Sequence, residues 1–167
     1  MTKNNLSTTY HPNEIEKKWY KTWEDSNSFK PNKKNKDSYT IMIPPPNVTG
    51  ILHVGHVLNN SIQDILIRRA RMKGKNTLWL PGTDHASIAT ETKVTQMLED
   101  KGINKKDMNR DAFLEHAWKW KEKYGGTIIK QLKKLGCSCD WSRERFTMDE
   151  NYSQSVLECF VRLYNDK

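Results

Sequence analysis

The sequence predicts an α/β fold built on a parallel sheet, and three observations carry that reading. Two short runs of β-formers, "YTIMI" at 39–43 and "TLWL" at 77–80, flank one long amphipathic stretch. That stretch repeats apolar residues at spacings of three and four over three turns, the period of a helix. Strand, helix and strand within about 40 residues make a βαβ unit, which needs parallel strands and a right-handed crossover.

The elements follow in order. Residues 1–11 read as a polar arm. His11-Pro12-Asn13 opens a short helix whose apolar face is Ile15, Trp19 and Trp23, ending near Asp25. "KPNKKNKDS" at 30–38 is a turn-rich linker with solvated lysines, so 1–38 is set apart from a main body at 39–167. The apolar end of the first strand suits burial on both faces. Val54, Val57, Leu58, Ser61, Ile62, Ile65 and Leu66 form one apolar stripe over three turns, the mark of a helix. Arg68, Arg69, Arg71 and Lys73 crowd the helix end where cations favour the dipole, and Gly74 is its stop. "PGTDH" ends the second strand, and a helix is expected over 87–101. Two amphipathic pieces follow, one with Phe113, Ala117, Trp120 and Tyr124, the other with Ile128, Ile129, Leu132 and Leu135. Gly125-Gly126 is expected to interrupt them. "FTMDE" contains a capping box, Thr147 with Glu150, to open a last helix. There is no internal repeat.

A chain of 167 residues can bury a core as one domain. Its 28 Lys and Arg against 20 Asp and Glu give a net charge of +8, which favours polyanionic partners. No apolar run reaches the roughly 18 residues of a membrane span, and no secretory leader is visible. Three cysteines make no disulfide framework, which suits a reducing cytoplasm. Cys137-Ser138-Cys139 lacks a second Cys or His pair at zinc spacing, so no protein-bound metal is expected.

Chemistry concentrates after the first strand, in "PPPNVTGILHVGH" at 44–56. Ligands of open α/β sheets bind beyond the carboxyl ends of the strands. Here a helix N-terminus presents backbone N–H groups suited to phosphate. The glycine-rich dinucleotide loop is absent; Pro44, Pro45 and Pro46 stiffen the turn instead. Gly50 and Gly55 allow close approach of a ring or backbone. His53 and His56, three apart, share one face of the helix start and can donate to phosphate oxygens. Their role would be to stabilise charge on a phosphate under attack; the plainer alternative is a pair of surface histidines capping the helix. Asp84, at the end of the second strand, can hold an ammonium group or, with Ser87, cap the next helix. His85 reads as a structural hydrogen bonder.

These segments, with "LNNSIQDILIRRARMKGKNTLWLPGTDHASIATE" and "GGTIIKQLKKLGCSCDWSRERFTMDE", resemble the valyl-tRNA synthetases, a branch of the class I aminoacyl-tRNA synthetases. The similarity runs from about residue 11 to 167. It implies the first half of a Rossmann-type catalytic domain, truncated before an editing insertion. It implies a ligase that activates valine with ATP and esterifies tRNA(Val). By that resemblance His53 and His56 bind the ATP phosphates and are catalytic, and Gly55 makes room for adenine. Pro44, Pro45 and Asn47 line the amino-acid site, and Asp84 holds the α-ammonium of valine. Mg2+ accompanies ATP, and the complete protein is a cytoplasmic monomer. Ser87 stands where many relatives have Gly, and Glu91 where they have Gln. The family's Lys-Met-Ser-Lys-Ser signature is not in these 167 residues. The rival readings are an isoleucyl relative, a small nucleotidylyltransferase, and a non-catalytic ATP- or tRNA-binding module.

Overall fold

The computed structural model describes residues 8–32 and 36–166; part of the expected arm and the middle of the lysine-rich linker lie outside them. The chain runs α1 (Pro12–Asp25), β1 (Ser38–Met42), α2 (Val54–Met72), β2 (Asn76–Leu80), β3 (Gly82–Thr83), α3 (Ser87–Glu99), α4 (Arg110–Leu135), β4 (Arg145–Phe146) and α5 (Glu150–Asn165). The βαβ unit is present: β1 pairs in parallel with β2, Ile41 opposite Trp79, and α2 crosses between them. β3 pairs in parallel with β4.

The run 76–84 is the middle of three parallel segments, because a strand's carbonyls point alternately to its two edges. Leu80 O accepts from Ile43 N (2.9 Å) on one edge, while Pro81 O accepts from Arg145 N (3.3 Å) and Thr83 O from Thr147 N (3.1 Å) on the other. The first edge resumes at Asn47, bridged to Asp84: Val48 N donates to Asp84 O (2.9 Å) and Asp84 N to Pro46 O (2.8 Å). All three carboxyl ends therefore meet at one end of the sheet.

The core gathers Ile43, Val48, Ile67, Trp79, Ile128, Leu132, Cys137, Cys139 and Phe146. Trp79 is fully buried, and its indole N–H finds Gln63 Oε1 at 3.1 Å, as a buried indole requires. α1 docks through Tyr20, whose hydroxyl donates to Cys137 O (2.7 Å) and accepts from Trp141 Nε1 (2.7 Å). Lys133 adds an ion pair to Glu24 at 2.7 Å. Burial pushes the Cys137 thiol up to about 12, and the Tyr20 hydroxyl and Cys139 thiol are raised for the same reason. Among the described residues no helix is long and apolar enough to cross a membrane.

Three expectations need correction. β1 alternates exposed and half-buried residues instead of being buried on both faces, with Met42 72% exposed. The stripe on α2, a helix as its spacing predicts, faces outward: Val54, Leu58, Ile62 and Ile65 are all exposed, and the buried residues are Asn60, Ile67 and Ala70. Polar bonds hold the inner side of α2. Asp64 accepts from Ser138 N (3.0 Å), Arg68 donates to Gly136 O (2.8 Å) and Arg71 to Ser138 Oγ (3.2 Å). Gly125-Gly126 does not interrupt anything, since α4 is one continuous helix of 26 residues. Gly125 is buried where α4 passes the 44–52 loop; a Cβ there would lie 3.8 Å from Val48 Cγ1. Finally, α5 starts after Asp149 with no side-chain cap, and Thr147 bonds elsewhere.

Candidate active site

The loop after β1 is pinned from outside itself. Pro46 and Val48 are buried while Pro44, Pro45 and Asn47 are exposed. Trp120 of α4 donates its indole N–H to Val48 O (2.7 Å), and Leu52 N donates to Gln131 Oε1 of the same helix (2.9 Å). Together with the Asn47–Asp84 bridge, these bonds set the loop over the carboxyl ends of the strands. Pro44, Pro45, Asn47 and Asp84 therefore share the end of the sheet from which α2 departs.

His53 is the N-cap of α2 and His56 its third residue. They cap the helix reciprocally. His53 Nδ1 accepts from Gly55 N (3.1 Å), and His56 Nδ1 accepts from His53 N (3.2 Å). The two rings lie 4.1 Å apart, centroid to centroid. The capping alternative is therefore the one the hydrogen bonds display. A ring nitrogen that accepts a hydrogen bond carries no proton, so each neutral ring has its proton on Nε2. The backbone N–H groups expected to meet phosphate are partly spent on this cap: Gly55 N on His53, and His56 N on His53 O at 2.9 Å. What the helix start offers a ligand is a pair of Nε2–H donors. Loss of solvent, and then the neighbouring His53 ring, hold His56 below its usual 6.5, so it stays a neutral donor. Gly55 leaves space used by the protein itself, since a Cβ there would lie 3.0 Å from His53 Cε1.

Asp84 is half-buried, and its Oδ1 accepts from Ala86 N at 2.7 Å. The turn behind it is strained: Ala86 and Ser87 have φ of +51° and +39°, a region costing non-glycine residues about 1–2 kcal/mol each. Ser87 therefore does not cap α3; it occupies a position suited to glycine. His85 is the structural bonder expected, held by Thr147. Glu91 pairs with Lys105.

Three residues holding the site were not singled out as such. Trp120 was readable only as apolar face, although its indole N–H needs a partner once buried. Gln131 and Thr147 act across 79 and 62 residues, a separation at which no local pattern signals them. A groove of about 1090 Å3 between α1 and the end of α4 contains none of the candidate residues.

A profile of the class I tRNA synthetases (I, L, M and V) matches residues 18–167. The chain belongs to that family. Among curated relatives it is 61% identical over 159 residues to the valine–tRNA ligase of Parabacteroides distasonis, covering 95% of this chain and 18% of that protein. It is 62% identical over 164 residues to the valine–tRNA ligase of Fusobacterium nucleatum, covering 98% and 18%. The chain thus spans less than a fifth of the length of the curated relatives it matches. Among solved structures it superposes on the Agrobacterium radiobacter K84 LeuRS, determined as a ternary complex with tRNA and LeuAMS. The TM-score is 0.77 at 21% identity, covering 95% of this chain and 18% of that one. That likeness gives the fold, the Rossmann-like α/β architecture of the family's catalytic region.

Proposed function

We propose that the chain is the N-terminal part of a valine–tRNA ligase, with residues 39–167 supplying half of its synthetic site. The complete protein activates valine with ATP, releases pyrophosphate and transfers the valyl group to tRNA(Val). The observation that carries this reading is the pair of histidines whose Nδ1 atoms cap α2 and whose Nε2–H groups are left as donors. As the valine carboxylate attacks the α-phosphorus, negative charge grows on the phosphate oxygens. Two preset neutral N–H donors stabilise that charge without proton transfer or reorganisation. Gly55 lets the His53 ring lie against the helix start, beside the space the adenine occupies. Asp84 keeps Oδ2 for the α-ammonium while Oδ1 is bound to Ala86 N. Pro44, Pro45 and Asn47 line the amino-acid side. Mg2+ bound to the triphosphate would offset its charge, and none of the described residues is assigned to hold it. The net charge of +8 draws tRNA toward the protein. The enzyme works in the cytoplasm as a monomer.

Amino-acid-dependent pyrophosphate exchange on the complete protein tests this. Valine is expected to drive exchange, and His56→Ala to lower it by roughly 100-fold. A preference for isoleucine, or full exchange by His56→Ala, overturns it. A second reading applies to the 167 residues alone: they bind ATP or tRNA without turnover. The uncovered apolar faces of α2 and α5 favour it. Single-turnover formation of valyl-adenylate by the isolated chain decides between the two.

A further inference from the structure

Thr147 joins two segments that the amino-acid side of the site requires. Its N–H donates to Thr83 O at 3.1 Å, the residue before Asp84. Its Oγ1 accepts from His85 N at 2.9 Å and lies 2.6 Å from His85 Nδ1, gripping both backbone and ring of the residue after Asp84. Phe146 closes on the same ring edge-on, with centroids 6.4 Å apart. His85 Nδ1 is also 3.6 Å from Asp84 Oδ1.

The Thr147 oxygen accepts the amide proton and keeps one hydroxyl proton and one lone pair, so it can donate to Nδ1 or accept from it. When the hydroxyl donates, His85 carries its proton on Nε2 and turns a lone pair, not a donor, toward Asp84. In the other tautomer a positive N–H dipole would stand 3.6 Å from Asp84 Oδ1 and offset part of the charge that a substrate cation needs. From this geometry we infer that Thr147 is a positioning residue for the amino-acid subsite. Through His85 it keeps Asp84 uncompensated, and it braces the positive-φ turn at Ala86 and Ser87 on which the carboxylate is mounted. The inference rests on the function proposed above and names a residue that acts on it without touching substrate.

The test compares Thr147→Val, which keeps shape and removes the hydroxyl, with Thr147→Ser, which keeps the hydroxyl, both in the complete protein. In pyrophosphate exchange, Thr147→Val is expected to raise KM for valine about tenfold, the size of one lost polar contact, and to leave KM for ATP unchanged. Thr147→Ser restores the valine KM. Histidine 15N shifts supply a readout independent of turnover: His85 is an Nε2–H tautomer in the parent and gains Nδ1–H character in Thr147→Val. An unchanged valine KM in Thr147→Val, or valine and ATP KM values that rise together, overturns the positioning role. So does an Nδ1–H tautomer in the parent. If the parent shows no valine-dependent exchange, the function itself fails and the ligand assigned here falls with it.

Discussion

Gly55→Ala separates what the histidine cap does for the fold from what it does for the chemistry. A Cβ at 55 would stand 3.0 Å from His53 Cε1 and 3.2 Å from its Nδ1. Both are tighter than ordinary contact, so the ring must give by a few tenths of an ångström. That shift lengthens and weakens the 3.1 Å bond from Gly55 N to His53 Nδ1. The weakened cap costs α2 up to about 1 kcal/mol, while replacing glycine inside a helix returns up to about 1 kcal/mol. The two offset, and the melting temperature is expected to change little. Catalysis has no such offset: a displacement of about 1 Å in a group aimed at a reacting centre costs about 100-fold, so this smaller shift is expected to cost up to about tenfold. Thermal melts and valine-dependent pyrophosphate exchange, run on the same Gly55→Ala protein, read the two effects separately. Wild-type kcat/KM for ATP with an unchanged melt would refute the assignment of His53 to the phosphates.

Two further outcomes follow from the same geometry. Ser87→Gly removes a side chain from a residue at φ +39° and should stabilise the chain by up to about 1 kcal/mol, seen as a higher urea midpoint with an unchanged m-value. His56 titrates below 6.5 in the folded chain, through loss of solvent and the nearby His53 ring. The unfolded state therefore binds more protons in that window. The stabilising contribution is complete above 6.5 and is lost as pH falls through the folded value; urea melts on either side of 6.5 should show it, and His56→Gln should flatten the difference.

Much of this architecture was legible from local pattern. The βαβ unit came from the change in hydrophobic period. The end of α2 came from Gly74, whose φ of +77° is one glycine tolerates. The histidine pair stood out by spacing and by its place after a strand. What failed did so for identifiable reasons. Gly125-Gly126 read as a break on propensity alone; packing against Val48 overrides that preference. Thr147 has the composition of a capping residue, yet its hydroxyl is committed to His85, 62 positions away. The candidate site residues were chosen from the sequence; the bonds that hold their segments were not readable there.

Helix α4 supplies three of the contacts that hold the segment 48–52: the indole of Trp120, the bare flank of Gly125 and the amide of Gln131. At 26 residues it is a rod about 39 Å long. The proline turn is thus splinted, and its order is inherited from a neighbour as well as from its own rings. Local melting of the middle of that rod would release all three anchors together, so the turn and the rod form one cooperative unit of unfolding.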